Sequence, residues 1–265
     1  MNSSVPEHPP AEGRLKNSDA IRHLLAISND NEKQILANHP ELTALVSDIQ
    51  AALDSGLRGA GDQNPIPVLL CQLARSYYLG AVRLILSGQV SAIFPVLRAA
   101  LESISFAVLA AQSLRNADIW LNREKSTRAW DRCANLYRFP EAVKVLRNLD
   151  PDLALAFTEY HDASLADVAP PRKHNAFFDA QLKHLVQDGS AANLARIYLP
   201  PSGAIFKALD ASVRYGCLIL AGLQYALPQH TPSVNASRLS IEIWGEIEAL
   251  MNAGGSSDAD GSASN

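Results

Sequence analysis

The chain has 265 residues, 48% of them hydrophobic and 19% charged, with 23 Lys and Arg against 27 Asp and Glu for a formal charge of −4. That composition is globular and sufficient for one large domain; its mildly acidic balance argues against bulk attraction to nucleic acid or anionic membrane, while a local basic pocket stays open. Cys71, Cys133 and Cys217 are too widely spaced for a disulfide framework or a paired-cysteine metal knuckle, which fits a reducing compartment.

The opening stretch MNSSVPEHPPAEG has two acids, three prolines and no apolar core, which is the wrong chemistry for a secretory signal. Residues 1–16 and 253–265 are rich in Pro, Gly, Ser and Ala with little to bury, so they are expected to be disordered tails around a helical domain at 17–252. Two apolar runs are candidate membrane spans. The one at 215–227 is too short, and the one at 84–97 is broken by Ser87-Gly88-Gln89, so both are expected to be buried helices of a soluble, cytoplasmic protein.

Apolar residues recur at three- and four-residue spacing along most of the chain, and extended alternation is scarce, which predicts an all-α fold. Ser18 can cap a helix to about Ile27. His39-Pro40 opens one that presents Leu42, Leu45, Ile49 and Leu53 and ends at Gly56. Asn64-Pro65 starts a helix over 65–87, stopped by Gly88, and a helix over 90–113 follows, in which Pro95 is tolerable only in the first turn or as a kink. Further helices are expected over 117–137, 141–148, 151–165, 175–187, 203–227 and 237–251. The reading is a single bundle of about eight helices, with 65–87 and 90–113 as a central antiparallel hairpin because only Gly88-Gln89 joins them. These central helices are apolar on more than one face, so self-association is expected. An echo of Ala92-Ile93-Phe94 in Ala204-Ile205-Phe206 is of a kind that Ala-rich helices produce by chance.

Residues 63–117 contain four arginines, Arg75, Arg83, Arg98 and Arg115, and a single acid, Glu102. Arg98 and Glu102 are four apart and share a face with Ser91, Ser105 and Gln112, opposite Ile93, Leu97, Ile104 and Val108. Three readings follow. The pair is a core ion pair completed by Arg75 or Arg83, or part of an anion or substrate pocket, or a solvated face. A second cluster runs Glu159-Tyr160-His161-Asp162-Ala163-Ser164, with His174 beyond a Pro-Pro loop. His161 and Ser164 share a face, and His174 is placed to fold back over it; a histidine there is an acid–base candidate or a helix cap.

Several stronger signatures are missing from the sequence. There is no G-x-G-x-x-G or P-loop pattern, no Glu-x-x-His or Cys/His ligand set and no G-x-S-x-G elbow. No metal and no cofactor is therefore expected, and no short basic recognition helix stands out.

The segment IFPVLRAALESISFAVLA at 93–110 resembles a group of bacterial helical proteins of unknown function. In that group an apolar helix carries L-R-x-x-x-E, and a later tyrosine-containing helix runs into a serine and then a histidine. The matching residues here are Leu97, Arg98 and Glu102, then Tyr160, Ser164 and His174, within 65–178. The group is similar in outline to the HEPN helical bundles, many of which are RNA-cleaving toxins or nucleotide binders. The HEPN nucleases pair an Arg and a His close together on one helix, and that spacing does not occur here.

Two functions are thus expected in competition. One is a non-catalytic module that binds an unknown protein partner or itself. The other is a HEPN-like RNA-cleaving or nucleotide-binding protein with a composite site drawn from Arg98, Glu102, His174, Ser164, Tyr160 and Arg75.

Overall fold

The computed structural model describes residues 12–168 and 203–255, and among the described residues every regular element is helical. The ten α-helices are α1 (Glu12–Asn38), α2 (Pro40–Leu57), α3 (Pro65–Leu86), α4 (Ile93–Ala111), α5 (Leu114–Leu121), α6 (Thr127–Leu136), α7 (Phe139–Leu149), α8 (Pro151–Val168), α9 (Gly203–Ala226) and α10 (Thr231–Gly255). Single 3₁₀ turns lie at Ala60–Asp62, Val90–Ala92 and Arg123–Lys125. The helix expected over 175–187 and residue His174 fall outside the described residues, as does most of both expected tails.

Short polar side chains set where the helices begin. Asn64 Oδ1 accepts from the Ile66 N–H at 3.1 Å, with Pro65 in the first turn of α3. Ser113 and Ser126 accept from the Asn116 and Ala129 N–H groups, each at 3.1 Å. The Ser113 cap starts α5 ahead of the helix expected over 117–137, and the Ser126 cap divides that helix, leaving α5, a 3₁₀ turn and α6. At the other end of α3, Gly88 takes φ 84°, and the Gly88 and Gln89 N–H groups donate to the Ile85 and Leu84 carbonyls at 2.8 Å each. That closing motif needs a residue free to enter the left-handed region. The turn then continues through Val90–Ala92, so the link between α3 and α4 is longer than Gly88-Gln89 alone.

The helix expected to end near Ile27 runs on to Asn38 in spite of the polar stretch Ser28–Asn31. Tertiary contacts hold its second half. Asn31 Nδ2 donates to the Ser87 carbonyl at 3.1 Å, Glu32 pairs with Arg83 at 3.0 Å, and Ile35 is fully buried. Packing here overrides weak local propensity.

The core is organised about α4 and α9. Helix α4 packs against α3, α5, α7, α8 and α9, and α9 packs against α2, α3, α4, α8 and α10. The face of α4 expected to be apolar is the enclosed one, with Ile93, Leu97, Ile104 and Val108 all at 0% exposure. The α4–α9 approach is close because α9 has no side chain at the crossing. A Cβ on Gly222 would stand 2.6 Å from Ile104 Cγ1. Helix α10 is tied to the end of α2 by a buried bond, Ser233 Oγ to the Gly56 carbonyl at 2.6 Å.

By length and composition, α3 and α4 are each long and apolar enough to cross a bilayer. Within the bundle, 61% of the most apolar window of α4 is buried against 39% of that of α3, so α3 keeps an apolar face that the described residues leave uncovered.

Candidate functional site

Helix α4 carries Arg98 and Glu102 one turn apart, with Arg98 Nε 3.5 Å from Glu102 Oε1. The second partner of that carboxylate oxygen comes from α8, where His161 Nε2 lies 3.0 Å away. The imidazole is stacked on Phe139, the first residue of α7, with ring centroids 3.8 Å apart and planes 9° from parallel. Two devices place His161. Asp150 caps α8 by accepting the Leu153 N–H at 2.9 Å, and its other oxygen accepts the Tyr225 hydroxyl of α9 at 2.9 Å. Along α8, Ala154, Phe157 and Ser164 are fully buried, and His161 follows Phe157 by one turn on that same inward face.

The Arg98–Glu102 pair is therefore completed by a histidine rather than by Arg75 or Arg83. Arg75 Nε instead donates to Asp54 Oδ1 of α2 at 2.6 Å, and Arg83 turns to Glu32 of α1. The side chains of Arg98 and Glu102 also keep 29% and 32% of their exposure, so the expected sealed core pair is a half-buried one. Ile104 and Val108 are sealed, and so is Ser105 on the polar face, where it donates to the Glu102 carbonyl at 2.7 Å, while Arg98, Glu102 and Gln112 reach the margin of the bundle.

Tyr160 and Ser164 do not join the ring of His161. Ser164 Oγ donates back to the His161 carbonyl at 2.6 Å, so the hydroxyl is spent within its own helix. Tyr160, about 100° around α8 from His161, packs edge-on against Tyr215 and Trp244 with centroids 5.3 and 6.2 Å away. It belongs to a second cluster in which Arg214 Nε donates to Asp210 Oδ1 at 2.7 Å, Arg214 Nη1 bonds Glu248, and the guanidinium stands over Trp244. Burial opposes the charge on Arg214, but the bonds from Glu248 and Asp210 outweigh it and hold the guanidinium above its ordinary range. Burial likewise pushes the Tyr160 phenol up, against the pull of Arg214.

The chemistry open to the Glu102–His161 pair is narrow. A neutral imidazole that donates Nε2–H to Glu102 presents Nδ1 as an acceptor, and the Asp162 carboxylate 3.6 Å away, an acceptor as well, offers it no proton. A carboxylate that orients a histidine in this way suits a general base. The three cysteines supply no nucleophile beside it. All are free and buried, and burial pushes their thiols up, that of Cys217 to about 12, which suppresses the thiolate. Among the described residues no group of three His, Cys, Asp or Glu side chains is placed to hold a metal ion.

The sequence signal for this site was incomplete because its members come from three helices. The Arg98-x-x-x-Glu102 spacing identifies one side, but nothing local announces that a histidine 59 residues further on closes it.

A stability test separates the half-buried pair from a sealed one. Arg98→Met should cost under about 1 kcal/mol, as partly exposed ion pairs do, rather than the ~3–5 kcal/mol of a buried one. Glu102→Gln should cost more than Arg98→Met because Oε1 serves two partners, and the double variant should lose less than the sum of the singles. Denaturant midpoints give all three values, and a single-variant loss above about 3 kcal/mol would contradict the exposed geometry. Comparison of the chain with protein-family models, curated proteins and solved structures returns no match.

Proposed function

We propose that this protein is a soluble, cytoplasmic helical module that works by protein–protein contact, first of all with a second copy of itself. The observation behind this reading is one face of α3. Leu69, Leu73 and Tyr77 occupy successive turns and remain 56%, 37% and 38% exposed, while the adjacent row of Leu70, Ala74 and Tyr78, about 100° around the helix, is buried. An apolar row of this length on a folded chain is costly to leave in water, and an isologous dimer is the simplest way to cover it. Light scattering on the full chain of 28.6 kDa should give about twice that mass at micromolar concentration. Leu69→Lys/Leu73→Lys should halve it without loss of helical circular dichroism, since neither side chain supports the core. A monomer at every working concentration would refute the reading.

The second reading, a HEPN-like RNA-cleaving or nucleotide-binding protein, draws on the meeting of Arg98 and Glu102 with a histidine, here His161 in the part expected of His174. It requires that nucleotides or short RNAs bind the folded chain and that binding is lost in both Glu102→Gln and His161→Gln.

A further inference from the structure

Charge is unevenly placed along this chain. From residue 114 to residue 136, the stretch of α5, its 3₁₀ turn and α6, five basic residues stand against three acidic ones, in a chain with 23 basic and 27 acidic residues in all. The two helices meet along an open cleft of about 830 Å³. Arg115, Asp118 and Asn122 line it from α5 and its C-terminal cap, and Arg128, Asp131 and Arg132 line it from α6. The spacings, three and seven residues on α5 and three and four on α6, put each set on one helical face.

The arginines of this cleft lack a carboxylate partner among the described residues, as the exposed Arg58, Arg147 and Arg238 also do, but they meet along one cleft. Arg75, Arg83, Arg98, Arg123, Arg138 and Arg214 each have a carboxylate within 4 Å. Arg115, Arg128 and Arg132 are exposed and have none among the described residues, even though Asp118 and Asp131 share the cleft. Arg128 and Arg132 also form a like-charge pair one turn apart, an arrangement that costs helix stability unless an anion offsets it. A cleft of this size holds a small organic ligand. Forked guanidinium groups converging from two helices match an anion with several acceptor oxygens.

We infer that the cleft between α5 and α6 is a binding site for a phosphate-bearing anion, held by Arg115, Arg128 and Arg132; the Asn122 amide at its edge is engaged, donating to the Asp118 carbonyl at 2.8 Å. The site is separate from the α3 face and from the Glu102–His161 pair, and it stands or falls without them. A free polyphosphate and an anionic phospholipid headgroup offer the same chemistry. For the headgroup, Leu114, Leu121 and Trp130, exposed on the same two helices, would meet the bilayer.

The full chain is titrated with inorganic triphosphate by calorimetry at low salt, and cosedimented with phosphatidylcholine vesicles that contain or lack phosphatidic acid. Saturable binding to triphosphate identifies a free anion as the source. Binding only to the vesicles with phosphatidic acid identifies the headgroup. In either case affinity should fall with added salt and should drop on the order of tenfold or more in Arg128→Gln/Arg132→Gln. Arg58→Gln, an exposed arginine at the end of α2, should leave it unchanged. Arg115→Gln, on the opposite wall, provides an independent variant should the double substitution disturb α6. No binding to either probe would overturn the assignment, as would binding that survives the Arg128, Arg132 and Arg115 substitutions.

Discussion

Phe157→Ala is expected to lower the unfolding free energy by about 3–5 kcal/mol, the range for truncating a large, fully enclosed aromatic side chain. Phe157 is at 0% exposure in α8, and its ring tip lies 3.6 Å from the point where a Cβ on Gly222 would stand. Two surrounding walls cannot close on the space left behind. Gly222 has no side chain to move in, and its backbone is already set against Ile104 of α4. The cavity term therefore adds to the lost transfer energy, with little relaxation to reduce it. Leu155→Ala, two residues away and 59% exposed, should change stability by no more than about 0.5 kcal/mol. Guanidinium midpoints followed by far-ultraviolet circular dichroism provide the comparison, and a Phe157→Ala cost below about 1 kcal/mol would mean that the ring is not held as described. His161 sits one turn beyond on the same face, so the variant should also loosen the imidazole stacked on Phe139.

The periodic and capping signals carried the local structure well where the responsible residues were adjacent. Leu42, Leu45, Ile49 and Leu53 form the buried face of α2, and Asn64-Pro65 marks the start of α3. The same signals failed where a cap inside a polar stretch starts a new helix, as at Ser126 within residues 122–128, or where distant contacts held a polar turn in a helix, as at Asn31. The site was harder to read for a related reason. Counting charges within residues 63–117 made Glu102 the only available acid, whereas the fold brings Asp54 to Arg75 and Glu32 to Arg83 from helices outside that window. Freed from those arginines, Glu102 takes His161. Charge pairing along the chain is a local property only when the partners share a helix, as Arg98 and Glu102 do; pairing between helices depends on a packing order that composition does not encode.

Gly216→Ala is the other substitution with a large expected cost, and its size depends on a single neighbour. An added Cβ would lie 2.7 Å from Ile49 Cγ2, 2.8 Å from Ile49 Cδ1 and 3.0 Å from the Tyr78 hydroxyl oxygen. Cδ1 is the far end of a side chain and can swing aside, but Cγ2 branches directly from Cβ and moves only with a change of rotamer or of the α2 backbone. Both Ile49 and Tyr78 are fully enclosed, so no free volume is available for that movement. Overpacking of this kind costs about 1–3 kcal/mol, and the gain of up to about 1 kcal/mol from replacing a helical glycine by alanine offsets only part of it. Ile49→Ala alone should cost about 2–5 kcal/mol through the cavity it leaves. The two changes should not add. In Gly216→Ala/Ile49→Ala the new methyl enters the space that both clashing carbons have vacated, so the double variant should be more stable than the sum of the singles predicts by at least about 1 kcal/mol. Additive losses in denaturant titrations would show that α9 shifts away from α2 instead of holding its close approach at Gly216.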